Sequence, residues 1–332
     1  MKILEKINYL LVFVQILFLF ISAYGYETYK LYFVLIEIYF LFINFKKIKL
    51  NKYILLLFLL LAFTNHYAIE TLFCFFFSYL FAIRLISLDQ VRISKTIKVV
   101  LFINIIYVLF NAFQGINPNE FISASRNHIG IPFIFFGSLN LFLENKNKLY
   151  SNKLWYFFIL LICLWSISRA NIITGALLFL LSFIRFNNIS LSSKYKKAIT
   201  LISLSSLFTF IIYNLESIKE RLFEKSFTLV KFFDDRNSIV ENERFEIINK
   251  YLESLNGFDY ILGKSIEYNV HNSYFNLHAL LGVPGILFFI FLLYKTKRRL
   301  IFLIPILLRS STDTVSFFGA ELDFIFYYLA FV

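Results

Sequence analysis

Charged residues are scarce in this chain: Asp, Glu, Lys and Arg make up 16% of its 332 residues, while 59% are hydrophobic. A soluble domain of this length could not cover its core with so little polar surface, so a soluble globular protein is excluded. Cysteine is almost missing as well. Cys74 and Cys163 fall inside predicted spans, far apart in sequence, and provide neither a disulfide framework nor a zinc pattern. Histidine occurs only four times, and no His/Cys/carboxylate group has metal-ligand spacing, so neither a metal nor another cofactor is expected. Internal repeats and low-complexity linkers are also lacking. The first apolar run has no small-residue cleavage site and reads as a first span rather than a signal peptide.

What the chain has instead is a succession of apolar runs, many near the ~20 residues that a membrane-crossing helix needs. Spans are expected near 8–24, 30–45, 51–64, 67–88, 99–114, 128–143, 154–168, 170–185, 198–213, 272–294, 300–309 and 320–332. The fold class is therefore all-α, a polytopic integral membrane protein of about twelve transmembrane helices forming one membrane domain over 1–332. The lipid bilayer is its first partner.

The formal charge of +12 would suit nucleic acid, but its distribution argues for topology instead. Twenty of the 33 Lys and Arg residues fall in alternate connections: 1–8, 44–53, 89–98, 144–153, 185–197 and 294–299. The short connections of the other side hold only Lys30, Arg126, Arg169 and Arg309. By the positive-inside rule both termini are expected in the cytoplasm, and no nucleic-acid partner is expected.

One connection differs in kind. Residues 214–271, on the outer side by this count, carry eight basic and eleven acidic residues. Within them 240-VENERFEIINKYLESL-255 places Phe245, Ile248, Tyr251 and Leu252 at helical spacing, which predicts an amphipathic helix lying on the membrane or across the helix mouths.

Charges at the membrane rim mark the candidate site. Arg126, Arg169, Arg244, His271 and Arg309 all fall on the outer side, where arginine in short connections runs against the positive-inside bias. Singly, each is an ordinary interfacial residue snorkelling to headgroups. Together they suggest an anionic ligand, and phosphate is the usual match for guanidinium forks. Elsewhere, Glu37 falls mid-span and reads as protonated or paired, and Arg84 reads as a snorkelling or structural residue at a span end. His66 reads as a polar turn residue. His278, seven residues after His271 and on nearly the same helix face, reads either as a second site residue or as a spectator facing a cavity.

Three segments together resemble the O-antigen polymerase and ligase superfamily of polytopic membrane glycosyltransferases. They are 166-SISRANIITGALLFLL-181, 242-NERFEIINKYLESLNGFDYILGKS-265 and 271-HNSYFNLHALLGVPGILFFIFLL-293. The first is similar to a Ser-Arg-Gly/Ala hairpin, the second to a loop helix with a leading Arg and a later Leu-Gly. The third is similar to a His-Asn-x-x-Leu pattern followed by Gly-x-x-Gly. The resemblance covers roughly 120–330, with Phe275 where an aliphatic residue is usual and Ala170 where glycine is common.

The resemblance implies a GT-C-like fold whose large loop is periplasmic, in the bacterial inner membrane. It implies transfer of a glycan from undecaprenyl diphosphate to a sugar hydroxyl, with inversion and without a metal. In the polymerase the acceptor is another lipid-linked repeat unit; in the ligase it is lipid A–core. His271 would be the base. Arg169 and Arg244, with Arg126 and Arg309, would hold the diphosphate, and Asn272 would orient the histidine or a sugar. Partners implied are undecaprenyl-diphosphate-linked oligosaccharides and a chain-length regulator. A non-enzymatic flippase for such lipids is the competing class; it should spread its charges through the membrane depth rather than along one rim.

Overall fold

The structure, a computed structural model, describes residues 2–24, 28–44, 69–121, 126–149, 152–184, 239–264, 272–297, 299–311 and 321–332. The spans expected at 51–64 and 198–213, as well as His66 and His271, lie outside the described residues. Among those described, regular structure is entirely helical. The elements are α1 (Lys2–Ala23), α2 (Thr28–Asn44), α3 (Ile69–Ser87), α4 (Gln90–Phe113), a single turn α5 (Pro118–Phe121), and a 3-10 turn (Arg126–His128). Then follow α6 (Gly130–Lys146), α7 (Lys153–Trp165), α8 (Arg169–Leu181), α9 (Ile239–Ser254), α10 (Asp259–Leu262) and α11 (Ser273–Thr296). The chain closes with α12 (Leu300–Ser310), a 3-10 turn (Glu321–Asp323) and α13 (Phe324–Phe331).

About twelve spans are expected; three described helices are long and apolar enough to cross a membrane, Lys6–Ala23, Gln90–Phe113 and Ser273–Thr296. Several others are shorter than the expectation. α7 and α8 have 13 residues each, so at 1.5 Å per residue each runs about 20 Å against a hydrocarbon core of about 30 Å. α4 is longer than expected because the polar connection at 89–98 is itself helical. Asp89 starts it as an N-cap, its carboxylate accepting from the Val91 N–H at 3.0 Å.

α6 is the centre of the bundle. Every residue from Gly130 to Glu144 is buried, as a helix apolar on all sides must be, and α1, α4, α7, α8 and α12 pack around it. Glycines set how close the neighbours come. A side chain at Gly130 would collide with Asn171 Cγ at 2.6 Å, and one at Gly175 with Cys163 Sγ at 2.8 Å. Small residues at helix contacts are how packing is achieved where lipid supplies no hydrophobic drive. By contrast α4, one of the helices long and apolar enough to cross a membrane, leaves Phe102, Ile106, Tyr107 and Phe110 exposed along one face.

Two buried polar networks cross this apolar interior. Near its middle, Glu37 of α2 pairs with Arg84 of α3 at 2.8 Å and accepts from Gln15 Nε2 of α1 at 2.7 Å. Arg84 also donates to Gln15 Oε1 and lies over the Phe40 ring, 3.8 Å from its centroid. Glu37 is thus paired, one of the two states read for it, and Arg84 is structural rather than snorkelling. Toward the end where α6 stops, Lys98 pairs with Glu144 at 2.8 Å, and Tyr156 donates to the same carboxylate at 2.7 Å. Asn140 donates to Tyr156 and accepts from Ser94, which extends the network across α4, α6 and α7.

Candidate functional site

The opposite end of the bundle is where α6, α8 and α11 begin and α12 stops; it is called the Asn272 end below. The α7–α8 hairpin turns there in three residues, Ser166–Ser168, with Ile167 at φ 52°. A non-glycine residue in that left-handed region costs of order 1 kcal/mol and persists only where its surroundings impose it. Beside it is a hydrogen-bonded knot around Asn171, in the first turn of α8, that holds the neighbouring Ser166.

Asn171 Nδ2 donates to the Asn127 carbonyl at 3.0 Å and to Ser166 Oγ at 3.1 Å. Its Oδ1 accepts from Arg309 Nε at 2.8 Å, and Arg309 Nη2 donates to the same Asn127 carbonyl at 3.0 Å. Ser166 Oγ in turn donates to the Cys163 carbonyl at 2.8 Å. One amide and one guanidinium therefore tie together the 3-10 turn, the hairpin and the end of α12. Gly130 has no side chain because Asn171 occupies that space.

Asn272 does two jobs at the start of α11. Its Oδ1 accepts from the Tyr274 and Phe275 N–H groups, capping the helix, and its Nδ2 donates to the Ser311 carbonyl at 3.0 Å. That bond holds the first turn of α11 against the end of α12, two residues past Arg309. Tyr274 adds a second tie through its hydroxyl to the Leu307 carbonyl at 3.0 Å.

Of the six residues expected in the site, four converge here. Arg169 is exposed at the first position of α8, and Arg126 is half-buried in the 3-10 turn. Asn272 caps α11. Arg309 is also here but only 1% exposed, so its guanidinium serves the knot rather than an open surface. Arg244 belongs to α9, and its side chain lies outside what is described. His271 also lies outside the described residues; it immediately precedes the Asn272 cap in the chain.

Asn171 was not among the residues picked out from sequence. The one available signal was a polar amide in the first turn of an otherwise apolar helix, two residues after the motif arginine. His278 has a role that neither of its sequence readings named. Tyr251 of α9 donates its hydroxyl to His278 Nδ1 at 2.6 Å, and His278 Nε2 lies 3.0 Å from the Tyr260 carbonyl of α10. A carbonyl can only accept, so Nε2 carries the proton, and in the neutral ring Nδ1 is left to accept from Tyr251. Both nitrogens are occupied, so this ring joins two elements and has no free lone pair to act as a base.

No family model, no curated protein and no solved structure matches the chain. The resemblance to the O-antigen superfamily accordingly stands on the three motifs quoted from the sequence.

Proposed function

We propose that this protein is a surface-polysaccharide polymerase of the bacterial inner membrane, joining undecaprenyl-diphosphate-linked repeat units at its periplasmic face. The observation that carries this reading is the gathering of Arg126, Arg169, Arg309 and Asn272 at one end of the bundle from segments up to 183 residues apart, 126 to 309. The charges deeper in the bundle, Glu37 with Arg84 and Lys98 with Glu144, are paired with each other, so the exposed Arg169 and half-buried Arg126 at this rim suit a reaction at the membrane surface better than passage through its depth.

In the proposed reaction the acceptor hydroxyl oxygen attacks the anomeric carbon of the donor glycan. The bond from that carbon to the diphosphate oxygen breaks, and undecaprenyl diphosphate leaves with the electron pair. His271 takes the hydroxyl proton, a transfer suited to a side chain that titrates near neutral pH. Arg169, exposed at the rim, and Arg244 on the loop helix stabilise the negative charge that develops on the diphosphate, as preorganised cations do. Arg126 flanks them. Arg309 holds Asn127 and Asn171 in place, and so shapes the site from behind. Asn272 orients the residue before it by fixing where α11 begins.

A gel of the surface lipopolysaccharide from a strain lacking the gene tests the assignment. Core bearing a single repeat unit is expected. Bare core with accumulated lipid-linked polymer would make the protein a ligase instead, and single repeat units trapped on the cytoplasmic leaflet would make it a flippase. His271→Ala should reproduce the deletion pattern while inserting normally. Polymer of normal length in that strain would overturn the base assignment.

A further inference from the structure

α10 lies deeper than a connection between two spans should reach. Gly263 ends α10 at φ 80° and Gly282 breaks α11 at φ 60°, and the two backbones are in contact there. A Cβ on Gly263 would come within 2.7 Å of the Ala279 carbonyl oxygen, and one on Gly282 within 2.8 Å of the Gly263 nitrogen. Only glycine allows both the positive φ and the approach. Gly282 is nine residues beyond Ser273, about 14 Å down the helix axis. Beyond that break α11 continues for 14 residues to Thr296, about 21 Å, which is short of a ~30 Å hydrocarbon core. With Thr296 at the far boundary, the contact falls about 9 Å below the polar boundary on the Asn272 side.

The segment is built for that depth. Backbone placed in lipid must have its polar groups satisfied within the protein. The Ile261 and Leu262 N–H groups both donate to the Phe258 carbonyl at 2.9 Å, and Gly263 donates to Asp259 at 2.9 Å. The Tyr260 carbonyl, left over at the end of so short a helix, receives His278 Nε2 from α11. The side chains face outward instead: Phe258 is 78% exposed, Tyr260 55%, Ile261 52% and Leu262 40%. Beyond the Gly282 contact, α11 has an exposed apolar stripe of its own, formed by Val283, Leu287, Ile290 and Tyr294. Two charges border these side chains: Lys264 Nζ donates to the Ser254 carbonyl at 2.6 Å and lies 4.0 Å from Asp259, and the two side chains, 39% and 35% exposed, can extend from there toward the headgroups.

We propose that Phe258–Leu262 is a membrane anchor, sunk among the acyl chains of the leaflet on the Asn272 side and tethered to α11 by His278. The partner is the lipid hydrocarbon itself. The anchor fixes α9, through Tyr251, at a set height beside the site. This inference depends on α11 crossing the membrane and not on glycosyl transfer.

Spin labels test it on the full chain in phosphatidylethanolamine/phosphatidylglycerol vesicles, in a background carrying Cys74→Ser and Cys163→Ala. Labels are placed one at a time through Phe258→Cys, Ile261→Cys and Leu262→Cys, with Leu287→Cys on α11 and Asn249→Cys on the exposed face of α9 as references. Collisions with oxygen should exceed those with a polar nickel chelate at 258, 261, 262 and 287, and the ratio should reverse at 249. Ratios at 258, 261 and 262 matching that at 249 would overturn the anchor. A polar ratio at 287 would remove its premise. His278→Ala should shift the label at 261 toward the polar reagent, and an unchanged ratio would overturn the tether.

Discussion

Two buried arginines anchor this molecule in different ways. Arg84 is held in the bundle by a carboxylate, Glu37, with Gln15 bridging the two and the Phe40 ring beneath. Arg309 is held at the Asn272 end through amide oxygens, the Asn171 side chain and the Asn127 carbonyl. The first pairs opposite charges inside apolar surroundings, where desolvation is expensive and the pair is justified mainly by what happens if one member is lost. Arg84 Nε and Nη1 are buried with no hydrogen-bond partner among the described residues, which sharpens that dependence on Glu37. The second joins three loop-proximal elements that form the candidate site. One arginine therefore serves helix association, and the other serves the shape of a surface.

Substitutions at five positions separate these roles. Glu37→Leu leaves the Arg84 charge buried without its partner and should cost about 3–5 kcal/mol, seen as a large fall in the unfolding midpoint of the detergent-solubilised protein. Adding Arg84→Leu should recover most of that loss; no recovery would show that the pair stabilises by more than charge compensation. Asn171→Ala removes a hydrogen bond to a guanidinium and should cost about 1.5–3 kcal/mol, and it should also shorten the glycan product, which the Glu37→Leu/Arg84→Leu double variant should not. Asn272→Ala removes a helix cap and should cost about 1 kcal/mol, with Asn272→Ser retaining most of the stability in the same melt. Arg169→Ala, at an exposed position, should change stability by less than about 0.5 kcal/mol yet abolish chain growth on the gel. Normal growth in that variant would leave the Asn272 end a structural knot alone.

Some of this was readable in advance. Gly282-Val283-Pro284-Gly285 carries the glycine and proline that interrupt helices, and the helix is broken at Gly282, at φ 60° and ψ −155°. Other features were out of reach of periodicity. Glu37 and Arg84 are 47 residues apart, and nothing local to either names the other. Asn171 looks like one polar residue in an apolar helix until Arg309, 138 residues later, is placed against it. His278 shared a helix face with His271 and so was weighed as a site residue; only the docking of α9 and α10 showed what its two nitrogens do.

The amino-acid sequence by itself determined the solvent of this protein and the kind of structure it could form. So few charges with so many apolar residues point to lipid, and lipid favours backbones that satisfy themselves; the described regular structure is all helical, with three helices long and apolar enough to cross a membrane. It also placed arginines beside the motif segments. Tertiary structure alone decided which buried charges neutralise each other, which amide knots the Asn272 end, and how far the loop descends along α11. Those outcomes depend on contacts between residues distant in sequence, where a hydrogen bond of about 3 Å exists only once the helices have chosen their neighbours.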